Sequence, residues 1–473
     1  MRILFVTPYP PSRIRVRSYG FLQQLRRDHD VVVLALCGAQ QELADAETLR
    51  SQGYEVVVVR ESKQQAMLRS GLALISSRSL HVAYASSTRF AQAFQRLCRQ
   101  RQFDVVHVEH LRGIAAIEPL AHTLPLVWDA VDCLSLLYKH TIVAGPNLAM
   151  RAATRLEHKR IQRYEARMVS KLRHVLVTSE RDRQALIELR RIQTGEEGAF
   201  CYAERVSRSP ERSEGEASIA MDRDPSLPLR MTSTIRACPE RSEGMTSTIR
   251  ACPERSEGMT STINVLPNGV DLDYFRPMQQ KRRRFNLVFS GTMSYHPNVA
   301  TALYLYQQIM PLIWQQRPEV TLTLVGSGPP KAIRRLAHHP QVEVTGYVDD
   351  IRPYVGRAEV MLCPMVYSVG IQNKVLEAMA LGTPVVVAPQ SAEVFGVSPG
   401  RDLLVAETPQ NFADATLHLL DDAERRTTLS RYGRAYVEQH HDWQSVTDRL
   451  VDIYSQARGA INLAPTGERM LNV

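Results

Sequence analysis

Three scarcities narrow the reading of this chain before any motif is weighed. No apolar run reaches the roughly 20 residues that a membrane-spanning helix needs, so no such span is expected. The opening "MRILFVTPYPP" lacks a signal peptide's long apolar core and small-residue cleavage site; it reads as a buried strand entering a loop. Cysteine is sparse, with seven in 473 residues and no close pair at metal-ligand spacing. Three of the seven (Cys201, Cys238, Cys252) fall in one low-complexity segment, and the rest suit a reducing cytoplasm better than a disulfide framework. Nothing supports a metal site, a Ser-His-Asp triad or a P-loop.

What is present is the composition of a soluble globular chain, 44% hydrophobic and 23% charged, with room for two or three domains. The formal net charge is +9. Residues 193–263 hold nine arginines and twelve acidic residues, so the positive excess lies entirely on the flanking regions. Nucleotide phosphates, an acidic membrane surface or nucleic acid would fit that balance, and a merely solubilising surface would fit it as well.

The first 190 residues alternate between strand-like and helix-like stretches. "RILFVTP", "DVVVLAL", "YEVVVVR", "FDVVHVEH", "LPLVWDAV" and "HVLVTS" are short, β-branched runs, most of them ending in turn-forming or polar residues. Continuous apolar strands of this kind belong to a parallel sheet covered on both faces. Residues 264–435 repeat the design with "FNLVFSG", "VTLTLVGSG", "VEVTGYV", "AEVMLCP", "TPVVVAP" and "DLLVAE". The expected architecture is α/β: two Rossmann-like, doubly wound parallel-sheet domains facing across a cleft, with ligands beyond the carboxyl ends of the strands.

Between them "RACPERSEGMTSTI" stands at 236–249 and again, unchanged, at 250–263. Its Ser, Glu, Arg, Pro and Gly offer almost no apolar face, so a disordered tandem duplication in a surface loop is expected. The domain reading is therefore 1–192 for the first Rossmann-like domain and 193–263 for the insertion. The second domain follows at 264–438, and a closing helix and tail, with Trp443, at 439–473.

The stretch "GIQNKVLEAMALGTPVVVAP" (370–389) concentrates the chemistry. Gly370 clears the way into a helix expected from Gln372 to Ala380, which Gly382-Thr383-Pro384 stops. Lys374 and Glu377 then sit in the first two turns, on one face. Amides and dipole at that end attract an anion such as a diphosphate, and Lys374 adds a full positive charge. Glu377 can accept hydrogen bonds from a pair of ribose hydroxyls. The plain alternative is an i,i+3 surface pair. Gly291-Thr292 and Gly326 follow buried strands, and the loop from Gly346 to Asp350 offers backbone that could read a base. In the first half, Arg13, Arg15 and Arg17 come directly after the first strand and could grip phosphates. Glu109, His110, Asp129 and Asp132 stand at strand ends, where a carboxylate could orient a sugar hydroxyl or take an acceptor's proton.

Taken in order, "TPYPP", "FDVVHVEH", "VTSERDR", "VLPNGVDLDYF", "FSGTMSYHPN", "LVGSGP", "VTGYVDDIRPYV" and "GIQNKVLEAMALGTPVVV" resemble the family 4 retaining glycosyltransferases of the GT-B fold. The resemblance covers nearly all of the chain except 193–263. "GIQNKVLEAMA" and "GTMSYHPN" are most similar to the subgroup found with bacterial exosortase-linked exopolysaccharide loci.

The resemblance implies a nucleotide diphosphate-sugar donor, a glycan or lipid-linked acceptor, no metal and no separate cofactor. It implies that Lys374 stabilises the departing diphosphate, that Glu377 holds the ribose, and that Gly291-Thr292 border the phosphates. Tyr347 and Val348 would contact the base, beside Gly370, Ile371 and Gln372 at the helix start. Retention is expected through front-face attack, with the leaving phosphate taking the acceptor's proton. A cytoplasmic location follows, with docking on the inner membrane surface through the basic stretch 155–174 and no nucleic-acid partner.

The chain also departs from the family pattern. Val369 stands where many relatives carry a first glutamate, Gln372 where many have a second glycine, and Asp132 near a sugar-contacting histidine. "SGTMSYHPN" lacks an expected Arg and Lys. A non-catalytic nucleotide-sugar-binding paralogue and a GT-B sugar-nucleotide epimerase therefore stand as alternatives.

Overall fold

The β-branched runs fold as parallel strands in a computed structural model that describes residues 1–120, 124–144, 148–194, 261–279, 281–366 and 370–462. The first sheet comprises β1 (Arg2–Thr7), β2 (Asp30–Cys37), β3 (Glu55–Arg60), β4 (Val105–Glu109), β5 (Leu126–Val131), β6 (His174–Val177) and β7 (Thr262–Val265). Its order is β3-β2-β1-β4-β5-β6-β7. The second comprises β8 (Asn286–Ser290), β9 (Thr321–Val325), β10 (Val342–Gly346), β11 (Val360–Cys363), β12 (Val385–Val387) and β13 (Leu404–Val405), in the order β10-β9-β8-β11-β12-β13. Both sheets reverse direction of growth beside their first strand, between β1 and β4 and between β8 and β11. Loops diverge at such a point and leave a crevice at the carboxyl ends of the strands.

Burial explains why these runs are unbroken by polar residues. All five residues of β4 and of β8 are buried, because helices cover both faces of each sheet. The first sheet separates two apolar cores, one around Trp128, Phe90 and Ile114, the other around Phe5, Phe21 and Leu176. A third core fills the second domain.

The sequence boundary at 264 falls within β7, which pairs with β6 from His174↔Thr262 to Val177↔Val265 and so forms the edge of the first sheet. Of the insertion read at 193–263, residues 195–260 lie outside the described residues, as does Val369. The insertion's ends are regular structure rather than a disordered loop: Thr194 closes helix Glu180–Thr194, and Thr262 and Ile263 belong to β7. The closing helix, Trp443–Asn462, belongs physically to the first domain. Its Trp443, Leu450, Ile453 and Tyr454 join the core around Phe5 and Phe21. The Trp443 ring meets Phe21 edge-on at 5.2 Å and lies where a Cβ on Gly20 or Gly269 would stand, 2.1 and 2.5 Å away. Burying that ring contributes on the order of 4 kcal/mol.

The chain thus passes between the halves twice, at 266–270 and at 441–442. The two passes are bonded to each other: Val270 N–H donates to His441 O at 2.7 Å, and a ring nitrogen of His441 lies 2.7 Å from Asn268 O.

Candidate active site

The helix of the 370–389 stretch runs Asn373–Ala380, with Gln372 in the N-cap position and no side-chain hydrogen bond closing its first turn. Val375, Leu376, Ala378 and Met379 bury one face against the second-domain core, which fixes the helix rigidly. Lys374 emerges half-buried from the first turn. Its ammonium donates to Asn298 Oδ1 at 2.5 Å and lies 4.7 Å from the centre of the Phe289 ring. Among the described residues it has no carboxylate in ion-pair contact. Burial pulls its pKa below the ordinary lysine value, with the nearby Cys363 and Glu377 opposing. Glu377, one turn on, is pushed up to about 7 by burial, with the Lys374 charge opposing.

Backbone makes the floor beneath that ammonium. Gly291 has φ +149°, and a Cβ there would stand 2.7 Å from Asn298 Nδ2 and 3.1 Å from Lys374 Nζ. Gly326 has φ +151°, and a Cβ there would stand 1.8 Å from Gly291 O. No other residue fits either place. Asn298 Nδ2 donates to Thr292 O at 2.9 Å, so Asn298 clamps the 291–292 turn and receives Lys374 at once. Lys374, Gly291, Thr292 and Gly326 are therefore one constellation.

The loop Gly346–Asp350 lies further out. Tyr347 is 70% exposed, whereas Val348 packs on the second-domain core. A cavity of about 680 Å³ opens beside this loop, lined by Val348, Asp350, Asn286, Thr323 and Glu343. Neither Lys374 nor Glu377 borders it, so it is not the crevice that the switch point defines.

The first domain meets this site at Gly370, which has φ +69°. A Cβ there would lie 2.0 Å from Asp132 Oδ1. Asp132 also accepts a hydrogen bond from Thr178 Oγ1 at 3.0 Å, and burial beside the Asp182 charge pushes it up to about 7. It is delivered there by Val131, whose φ of +68° is costly for a β-branched residue. Glu109 stands deeper, 3% exposed, and burial pushes its carboxyl up to about 8, with the Asp129 charge adding.

The three arginines after β1 take different places. Arg17 is buried and gives its donors to the protein: Nε and Nη2 to Asp129 at 2.6 and 3.1 Å, and Nη1 to Leu266 O and Asn268 Oδ1 at 3.0 and 2.8 Å. Arg17 is thus not the phosphate-gripping residue that the sequence suggested. Arg15 stacks 3.4 Å from the centre of the Tyr9 ring and pairs with Glu42. Arg13 is exposed and reaches toward Tyr274 of the second domain, 5.7 Å from its ring centre. Ile371 packs on the second-domain core.

Sequence reasoning missed Asn268 and Asn298. A guanidinium only donates, so the Asn268 atom facing Arg17 is its carbonyl oxygen. The amide nitrogen then faces Asn373, donating to Asn373 Oδ1 at 2.9 Å. A chain of donors consequently runs from the first domain, through the crossing segment, to the residue before Lys374. Both asparagines lie in quoted motifs, "LPNGVD" and "GTMSYHPN", but no spacing announces their partners.

The fold and this crevice define the GT-B architecture. Across 96% of this chain and 100% of the other, it superposes on the structure of Anabaena Alr3699/HepE in complex with UDP, with a TM-score of 0.58 at 14% identity. Sucrose-phosphate synthase from Thermosynechococcus elongatus superposes over 97% of this chain and 99% of its own, with a TM-score of 0.59 at 15% identity. Residues 284–422, which carry Gly291, Gly326, Lys374 and Glu377, match the family profile of glycosyl transferases group 1. One curated relative is the GDP-mannose-dependent monoacylated alpha-(1-6)-phosphatidylinositol monomannoside mannosyltransferase of Corynebacterium glutamicum. It is 28% identical over 210 residues, 40% of this chain and 55% of that one. The D-inositol 3-phosphate glycosyltransferase of Paenarthrobacter aurescens is 26% identical over 219 residues, 41% of this chain and 51% of that one. The chain spans about half the length of the curated relatives it matches.

Proposed function

We propose that the protein is a retaining, metal-independent glycosyltransferase. It moves a sugar from a nucleotide diphosphate-sugar to a glycan or lipid-linked acceptor, in bacterial exopolysaccharide or cell-surface glycan synthesis. The observation that carries this is the Lys374 ammonium, held by Asn298 over a glycine floor, at a helix start with no side-chain cap and, among the described residues, no carboxylate in ion-pair contact. A diphosphate seated there receives amides, dipole and a full charge together, and the gain is largest as the phosphate departs with its extra negative charge. The acceptor hydroxyl attacks the anomeric carbon on the face the phosphate leaves. The bond from that carbon to the phosphate oxygen breaks, and the acceptor's proton passes to the leaving oxygen. Glu377 seats the ribose, and Asp132, at the meeting of the domains, orients a sugar hydroxyl. The mannosyl- and glycosyltransferases among the relatives and the UDP complex of the structural neighbour support the reading.

Lys374→Ala is expected to lower transfer at least about a hundredfold without changing the melting temperature. Full activity in that variant would remove the role given to Lys374. Nucleotide-sugar binding with transfer and hydrolysis both at background in the wild type would favour the paralogue. A new sugar nucleotide formed without acceptor would favour the epimerase.

The acceptor side is also proposed to rest on an acidic bilayer surface, at the cytoplasmic face. Helix Leu148–Lys171 buries its two glutamates, Glu157 and Glu165, while Arg155, Lys159 and Arg163 point outward without carboxylate partners among the described residues. Arg160 donates to Ala73 O and Leu74 O, which joins this basic face to exposed Met67, Leu68, Leu72, Leu74 and Ile75. Apolar side chains beside basic ones suit an anionic interface. Among the described residues no helix is long and apolar enough to cross a membrane. Replacing Leu72 and Ile75 by Asp should abolish binding to vesicles rich in phosphatidylglycerol; undiminished binding would remove this surface.

A further inference from the structure

At the switch point of the first sheet stands a second cationic group that the transfer reaction above does not use. Helix His110–Ile117 follows β4, and Arg112 lies in its first turn. The Arg112 guanidinium makes one side-chain hydrogen bond, from Nε to His81 Nε2 at 3.2 Å, and stands 5.9 Å from the centre of the Tyr84 ring. Among the described residues no carboxylate pairs with it, and neither of its terminal nitrogens meets an acceptor. A half-buried guanidinium without a counter-charge is unusual, because desolvating it costs free energy that a partner normally returns. Three other arginines around the crevice have found one, Arg17 in Asp129, Arg15 in Glu42 and Arg352 in Asp350, while Arg13 is exposed to solvent and needs none.

The backbone beside Arg112 is also strained. His110 has φ +64°, and it is one of three non-glycine residues with positive φ among those described. Two of the three, His110 and Val131, end neighbouring strands at this same crevice. Strain of this kind costs about 1–3 kcal/mol and persists where a site demands it. The acidic groups nearby are engaged elsewhere or lose their charge: Asp129 pairs with Arg17, Glu157 accepts from Ser79 and from His81 N–H, and burial pushes Glu109 up to about 8. His81 and His110 are held neutral, pulled down to about 3 and about 4 by burial with the Arg112 charge adding. Arg15, stacked on the Tyr9 ring, and Arg112 both act on Tyr9 and on His110, where Glu109 and Asp129 oppose them.

We infer that this first-domain pocket, with Arg112 as its centre and Arg15 at its side, binds the phosphate of a phosphate-ester acceptor. The terminal Arg112 nitrogens form a planar fork suited to two phosphate oxygens. The pocket rests on the reading of the protein as a transferase only for the word acceptor; anion binding at Arg112 stands or falls separately. Two sources share this chemistry, a sugar phosphate and a prenyl phosphate.

Titration calorimetry of the full chain, saturated with UDP to occupy the second-domain site, would use glucose 6-phosphate against glucose and geranyl phosphate against geraniol. Each phosphate ester is expected to bind at least tenfold more tightly than its neutral partner, and the tighter of the two identifies the source. Arg112→Ala should weaken that binding about tenfold to a hundredfold, the range for losing charge-assisted hydrogen bonds. Arg112→Lys should restore part of it, and Arg15→Ala should weaken it less. Lys374→Ala should bind the esters as the wild type does, even if it transfers nothing. Equal affinity for ester and alcohol, or an unchanged affinity in Arg112→Ala, would overturn the inference. Loss in Arg112→Ala by a chain that shows no transfer would leave it standing while removing the transferase reading.

Discussion

On the second-domain side of the crevice, Lys374 lies over backbone: Gly291 and Gly326 touch, and Asn298 ties the turn to the ammonium. On the first-domain side, the charges lie among other charges. Asp129 holds Arg17, Glu109 is pressed beneath them, and Asp132 reaches Gly370 from a strained Val131. The second-domain side depends on the absence of side chains, so its tolerance to substitution is steric. The first-domain side depends on protonation, so its tolerance is electrostatic. That division suits a site in which one wall must fit a diphosphate of fixed shape while the other must accept a chemically distinct partner.

The steric wall should break hardest. Gly326→Ala places a methyl 1.8 Å from Gly291 O at φ +151°, and several kcal/mol of stability should be lost, about 3 or more, read by urea unfolding. Gly346→Ala is the control. It has φ +71° but open space around its Cβ, so only about 1 kcal/mol should go. Equal losses in the two would mean that backbone strain, not the close approach to Gly291, governs this wall.

The electrostatic wall should show itself more gently, in pH dependence. Glu109 ionises near 4.5 when unfolded and near 8 when folded. The folded state therefore holds a proton that the unfolded state has released, and stability falls as pH rises from about 5 to 8. Glu109→Gln cannot ionise and should flatten that fall by at most about 1.4 kcal/mol per pH unit. The histidines held neutral act in the opposite sense below about 6.5, so the contrast between wild type and variant is cleanest from pH 6.5 to 8. Parallel stability profiles for the two proteins would show that Glu109 carries no such burden.

The same division explains what the sequence discloses. Strands such as "DVVVLAL" and "VMLC" are legible because burial on both faces demands unbroken apolar runs. β7, "TINV", is not, since an edge strand needs no such run and this one begins inside the second repeat. Lys374, Gly291 and Gly326 are legible because a lysine at a helix start and glycines after strands are local signals. Arg17 misleads because its partners, Asp129 and Asn268, stand 112 and 251 positions away. Arg112 passes unnoticed for a related reason: its importance lies in a missing counter-charge, and only the folded neighbourhood reveals that.

The paired crossings at 266–270 and 441–442 have a mechanical consequence. A single tether would let one half twist and slide against the other, but two tethers bonded side by side, Val270 to His441 and His441 to Asn268, act as a two-ply hinge. Such a hinge resists shear and torsion and leaves opening about one axis as the soft motion. Asn268 lies on that axis, gripping Arg17 with one end of its amide and Asn373 with the other. Each opening stroke would therefore tug on the turn that aims Lys374, so that access to the crevice and the aim of its ammonium change together.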